Sequence, residues 1–218
     1  MWQNIEFMYW YDDEIKQLEG TQIPIKGKNK RVVFYGSSSI RLWENLSADF
    51  PEFETINRGF GGSTLAACCW FFKRLIPQLS PDIMVIYAGD NDLGDGRHPE
   101  EVYLNFLNMT QLINRFCGPI PVGFISVKSS LSRIQLYNSI EYTNKIIKAE
   151  IDLNYPACTF IDVNSAMHEN GVDERILYES DGLHLSSEGY KIWAKELRLQ
   201  FLEKFIHPLP NTENLIKF

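Results

Sequence analysis

The sequence predicts an α/β chain built on a parallel sheet with helices on both faces. Three observations lead there. Five apolar runs recur along the 218 residues. Segments of helical periodicity separate them, and strand–helix alternation calls for parallel pairing through right-handed crossovers. Two runs, Ile83–Tyr87 and Val122–Ile125, lack the polar alternation of a half-exposed strand, as expected of strands covered on both faces.

The elements follow in order. Residues 11–19 read as a short amphipathic helix with Ile15 and Leu18 on one face, and Gly20 to Lys30 as a polar connector. The strands are expected at Arg31–Gly36, Glu54–Asn57, Asp82–Ala88, Pro121–Val127 and Thr159–Val163. The helices are expected at Ser39–Leu46, Thr64–Ile76, Pro99–Phe116, Ser139–Asn154 and from about Ser186 to Phe205. Ser186 is placed as the N-cap of the last, with Glu188 in its first turn. The expected organisation is one domain over residues 1–218, with residues 1–30 as N-terminal helix and connector and 207–218 as an irregular tail.

Composition excludes several classes. The chain is 44% hydrophobic, enough for a sizeable core, and carries a net charge of −7. Its one basic cluster, Lys26, Lys28, Lys30 and Arg31, is short and precedes a strand, so a nucleic-acid partner is not expected. Cys68, Cys69, Cys117 and Cys158 show no metal-ligand spacing and read as buried thiols in a reducing compartment. Asp12, Asp13 and Glu14 interrupt the N-terminal stretch, which resembles neither a signal peptide nor a membrane span. A cytoplasmic location is the expectation. No segment reaches the roughly 18 uninterrupted apolar residues a span needs.

Ser38, the Asn57–Thr64 loop and the Gly89–Asp92 loop follow the first three strands, the place where such sheets bind ligands. Ser38 follows the first strand at a glycine turn that opens a helix, where developing negative charge is stabilised. Of the four histidines, His98, His168 and His207 read as surface residues. His184 differs because Asp181 precedes it by three residues, close enough to hold the imidazole tautomer and leave its other nitrogen for a serine. Asn57 to Thr64 is a glycine-rich loop, either a flexible turn or a source of backbone donors. Gly89-Asp90-Asn91-Asp92 reads either as an Asx-turn or as the site of a donating Asn91 amide.

Competing motifs fail. Asp90 to Glu101 departs from a calcium loop, with Asp95 at the obligatory glycine position and Pro99 intruding. Gly27-Lys28 is followed by Asn29 and lacks the first glycine of a phosphate loop. Gly36 and Ser38 fit a G-x-S-x-G elbow, but Ile40 does not. Gly59 and Gly61 lack the third glycine of a dinucleotide fingerprint. Cys68 and Cys69 stand beside Trp70, Phe71 and Phe72 and are assigned to core packing.

These residues resemble the SGNH hydrolases, also called GDSL esterases and lipases. Gly36-Ser37-Ser38-Ser39, Asn57-x-Gly59-x-x-Gly62-x-Thr64, Gly89-x-Asn91-Asp92 and Asp181-x-x-His184 match four of that family's blocks in order. The segments Phe34–Trp43 and Asn57–Thr64 are similar to a bacterial subgroup of GDSL-type esterases. Ser37 and Ser39 depart from the family's Asp and Leu around the nucleophile. The resemblance implies a three-layer α/β/α, flavodoxin-like fold with a five-stranded parallel sheet. It implies Ser38 as nucleophile, His184 as base and Asp181 as its orienter. It further implies an oxyanion hole from the Ser38 and Gly62 N–H groups and the Asn91 amide. No metal or organic cofactor is implied, and the partner is a small-molecule ester.

The core elements consume nearly the whole chain and leave no long apolar lid, so a short acyl group, acetyl first, is expected. Trp43 and Phe60 stand beside the serine and glycine loops. They are expected either to line the substrate or to pack in the core. Thioester or lysophospholipid cleavage on the same triad remains open, as do a non-catalytic binding module and a flavin-binding doubly wound protein.

Overall fold

The computed structural model describes residues 8–169 and 173–206. The 207–218 tail, His207 within it, and Asn170 and Gly171 of the turn after His168 lie outside the described residues. The strands are β1 (Arg31–Gly36), β2 (Glu54–Gly59), β3 (Ile83–Tyr87), β4 (Val122–Ile125) and β5 (Cys158–Ile161). They form one parallel sheet in the order β2-β1-β3-β4-β5. The helices are α1 (Asp12–Gly20), α2 (Ser38–Arg41), α3 (Leu46–Asp49), α4 (Leu65–Leu75), α5 (Asp90–Gly94), α6 (Pro99–Cys117), α7 (Tyr137–Asn154), α8 (Val163–Met167), α9 (Ser187–Leu197) and α10 (Glu203–Ile206).

The sheet divides the apolar residues into two cores, because successive strand side chains point to opposite faces. Val33 and Tyr35 of β1 join Ile15 of α1, Phe72 of α4, Phe106 of α6 and Ile147 of α7 on one face. Val32 and Phe34 join Ile40 of α2, Leu46 of α3, Val163 of α8 and Trp193 of α9 on the other. Every residue of β1 is buried. This is the three-layer α/β/α arrangement. Strand order reverses between β1 and β3, and the crevice beyond their carboxyl ends is the expected binding place in such a sheet. Ser38 follows β1 there, and Asn91 follows β3.

Several elements differ from the sequence expectation: β2 runs on to Gly59, into the stretch expected as a loop, and the expected loop after β3 holds the short helix α5. The stretch expected as one helix from Ser39 to Leu46 is two short helices, α2 and α3. Between them the chain turns so that Trp43 sinks among Phe34, Phe50, Tyr190 and Trp193. Tertiary packing overrides the local helical period. Val163, expected at the end of the fifth strand, instead opens α8, because the Asp162 carboxylate caps it by accepting from the Ser165 N–H at 3.0 Å. The long last helix is interrupted by a π turn at Arg198–Leu202 that buries both Phe201 and Leu202. Its start agrees with the sequence: Ser186 is the N-cap and accepts from the Gly189 N–H at 3.3 Å.

Candidate active site

Ser38 owes its place to a close crossing of chains. A Cβ on Gly36 would lie 1.8 Å from the Tyr87 carbonyl oxygen, and the Gly36 φ is +149°. Only glycine lets β1 end this tightly against β3. The Ser37 N–H then donates to the Tyr87 carbonyl at 2.9 Å, and Ser38 heads α2, half-buried.

Asp181 and His184 lie on a tight loop closed by its own backbone. The Glu179 N–H donates to the His184 carbonyl at 2.8 Å, and the Gly182 N–H to the Glu179 carbonyl at 2.9 Å. Asp181 Oδ1 accepts from the Leu183 and His184 N–H groups at 2.8 and 3.0 Å. Asp181 Oδ2 lies 2.6 Å from His184 Nδ1, and His184 Nε2 lies 3.2 Å from Ser38 Oγ. With Nδ1–H donated to the carboxylate, Nε2 faces the serine as an acceptor. Partial burial pushes the Asp181 carboxyl up. The Leu183 N–H, the imidazole and the His184 N–H outweigh this and hold it at about 2.

The residues expected to donate, Gly62 and Asn91, are held by more distant parts of the chain. In the glycine loop, Thr64 caps α4 by accepting from the Ala67 N–H at 3.0 Å. Gly62 turns the chain with φ +65°. Among the described residues, neither the Ser38 nor the Gly62 N–H has an acceptor. The loop is gripped by α1. The Gly61 N–H donates to Glu14 Oε2 at 2.8 Å, and the Tyr11 hydroxyl to the Gly62 carbonyl at 3.1 Å. Asn91, in the first turn of α5, donates from Nδ2 to the Ser63 carbonyl at 3.1 Å. Its Oδ1 accepts from Arg133 Nη2 at 3.0 Å.

Charged groups pair beside Asn91. Lys128, 1% exposed, approaches Asp90 Oδ2 at 3.3 Å, and Arg133 approaches the same oxygen at 3.5 Å. Burial pulls the Lys128 ammonium down, and Asp90 opposes that. Asp92 Oδ2 accepts from the Leu65 N–H at 2.8 Å, while its Oδ1 has no partner among the described residues. Burial pushes this carboxyl up to about 6, against the backbone donor. Asp90 and Asp92 are thus committed to an ion pair and a helix N-terminus, respectively. On its other flank His184 opens on a cavity of about 410 Å³ whose lining includes Leu42, Glu44, Asn45, Asp49, Glu179 and Tyr190.

The model of the GDSL-like Lipase/Acylhydrolase family matches residues 29–192. The chain belongs to this family. This GDSL-family protein, an SGNH hydrolase, is a carboxylic ester hydrolase. A Bacteroides fragilis protein assigned as an acylhydrolase is 26% identical to it, with a TM-score of 0.72 over 88% of this chain and 95% of its own. A GDSL-like lipase from Bacteroides thetaiotaomicron is 25% identical, with a TM-score of 0.69 over 88% of this chain and 95% of its own. An acetylxylan esterase from Geobacillus stearothermophilus, 14% identical, shares the fold, with a TM-score of 0.65 over 80% of this chain and 95% of its own. No curated protein matches the chain. Among the described residues of the GDSL-family chain, no helix is long and apolar enough to cross a membrane.

The structure brings Ser38, Asp181 and His184 into one hydrogen-bonded line, and joins the Gly62 loop to Asn91 through Ser63. It does not place Trp43 or Phe60 at the substrate. Trp43 is 2% exposed and its indole N–H donates to Asp49 Oδ2 at 2.6 Å; Phe60 is fully buried against Tyr11, Tyr35 and Phe71. Both are core residues, because the bend after α2 and the turn after β2 aim them inward. Cys68 and Cys69 pack in the core as expected, and burial pushes the Cys69 thiol up to about 12. Sequence reasoning missed Arg133, Lys128, Tyr11 and Glu14. The available signal was position: Lys128 and Arg133 follow the fourth strand, at the sheet edge where the other site residues gather.

Proposed function

We propose that the chain hydrolyses short-chain carboxylic esters, acetyl esters first, with Ser38 as nucleophile, His184 as general base and acid, and Asp181 as its orienter. The observation that carries this reading is the Ser38–His184–Asp181 line, 3.2 Å and 2.6 Å at its two joints, within a family of ester hydrolases. As the Ser38 oxygen attacks the ester carbonyl, its proton passes to His184 Nε2, and Asp181 stabilises the resulting imidazolium. The carbonyl oxygen becomes an oxyanion held by the Ser38 and Gly62 N–H groups and the Asn91 amide. His184 returns the proton to the departing alcohol, leaving an acyl-serine. A water molecule, deprotonated by the same imidazole, attacks the acyl-serine; collapse releases the acid and restores the Ser38 hydroxyl.

The cavity beside His184 mixes Leu42, Leu185 and Tyr190 with charged and polar groups, which suits a substrate carrying polar groups. Glu44, Asn45, Asp49 and Glu179 in its lining disfavour a long alkyl chain there, since burying charge against hydrocarbon is costly. Sharing its fold with an acetylxylan esterase agrees with acetyl as the acyl group. A nitrophenyl ester series from acetate to decanoate tests the reading, run on wild type and Ser38→Ala. Acetate is expected to give the highest kcat/KM. Ser38→Ala is expected to lose at least about 10⁴-fold in kcat, since triad members act as a unit. A rate that climbs with acyl length overturns the short-chain assignment. An undiminished Ser38→Ala overturns the triad. Acyl thioesters and lysophospholipids added to the panel separate the two other chemistries the triad allows.

A further inference from the structure

We propose that Arg133 is a positioning residue for the oxyanion donor Asn91, fixing which end of the amide faces the reacting carbonyl and polarising the N–H left free. This rests on the reading of Asn91 given above. A side-chain amide has a donating end and an accepting end, and rotation by half a turn exchanges them. Only the N–H₂ end stabilises an oxyanion; the oxygen end repels it. In the structure Nδ2 donates to the Ser63 carbonyl at 3.1 Å and Oδ1 accepts from Arg133 Nη2 at 3.0 Å. The rotated amide would set its N–H₂ against a guanidinium, donor to donor, and its oxygen against the Ser63 carbonyl, acceptor to acceptor. It loses both bonds and gains two repulsions. The observed orientation spends one Nδ2 hydrogen on Ser63 and leaves the second free.

Arg133 is itself held on two sides. Its Nη1 donates to the Asp90 carbonyl at 2.8 Å, and it sits 3.5 Å from the Asp90 carboxylate, which also pairs with buried Lys128. A planar fork of donors is needed to serve the Asp90 carbonyl and Asn91 Oδ1 together, a geometry that lysine lacks. The positive charge on the amide oxygen also strengthens the opposite N–H as a donor. Arg133 lies in the 3-10 segment Leu131–Leu136, with non-helical φ −124° and ψ +30°. Just before it, the Ser132 N–H donates to the Gly182 carbonyl at 3.0 Å. Adjacent residues of one segment therefore reach the Asp181–His184 loop and the donor Asn91.

A double-mutant cycle on nitrophenyl acetate tests this. Arg133→Met is expected to lower kcat by about ten- to a hundredfold, the scale of a small misplacement at a reacting centre, with KM within about twofold. Added to Asn91→Ala, Arg133→Met should cost nothing further, because the group it positions is gone. Arg133→Lys should fall between wild type and Arg133→Met, and it runs the same cycle if the methionine variant melts. Losses that add in the double mutant, or an Arg133→Met that keeps full kcat, overturn the inference while leaving Asn91 in place. An Asn91→Ala that keeps full kcat overturns the donor reading itself, and with it the role of Arg133.

Discussion

Asp181 and Asp92 are the same residue in opposite settings. The Asp181 side chain is 47% exposed, on a loop whose own N–H groups hold its carboxyl at about 2. Asp92 is fully buried, held by one N–H, and pushed up to about 6. The contrast extends to the two halves of the site. The base half is one short loop, closed on itself and open to water. The half proposed to donate draws on α1, the glycine loop, α5, Lys128 and the Leu131–Leu136 segment; Ser63, Asn91 and Lys128 in it are buried, while Gly62 is exposed. A base that must pass protons to alcohol and water needs access. Donors that stabilise a transient charge need fixed dipoles, which act without reorganising.

The sharpest way to break the base half is Asp181→Asn. An asparagine can occupy the same volume but favours the wrong imidazole tautomer, and kcat is expected to fall by about 10⁴-fold. Steady-state kinetics with nitrophenyl acetate read this directly, and a loss under tenfold would mean that the loop backbone alone orients His184. The donor half breaks more gently: Asn91→Ala should lower kcat by about 10²–10³-fold, the usual loss for one oxyanion donor. The order of the two losses is part of the comparison, and its reversal would refute it.

Asp92→Asn sharpens the contrast through stability. Because its folded value of about 6 lies above the ordinary 3.8, the folded chain keeps this proton to higher pH than the unfolded chain does. The group's contribution is fully present below about 4 and lost as pH rises through about 6. The pH dependence of unfolding should therefore differ between wild type and Asp92→Asn by about 2–3 kcal/mol from pH 4 to 7. Denaturant unfolding at stepped pH measures it, and parallel curves would mean that Asp92 titrates normally. Asp181 has the opposite sign: its contribution is lost only as pH falls toward about 2.

Much of the scaffold was legible because it rests on local rules. The Arg31–Gly36 strand matches its expected limits, since an apolar run ending in glycine marks both ends. Ser186 caps the last helix as its side chain and position dictate. The candidate site residues could be picked out for a different reason: each stands in a short block whose spacing is itself set by a turn. What could not be read was tertiary. Trp43 sits in a helical pattern, yet a hydrophobic cluster pulls it inward and breaks the helix. Arg133 stands in a segment without a motif, and its meaning depends on an amide forty-two positions earlier. Tyr11 and Glu14 look like ordinary residues of an amphipathic helix until the glycine loop is folded against them.

That grip by α1 bears on where the gene is cut. The family match begins at residue 29, so an expression boundary drawn there would keep every strand and every motif block. It would discard the phenol and the carboxylate that clasp Gly61 and Gly62. Such a shortened chain would leave Gly61 and Gly62 without these two partners, and would also lose Tyr11 and Ile15 from the core, so a weak assay on it would say little about the intact fold.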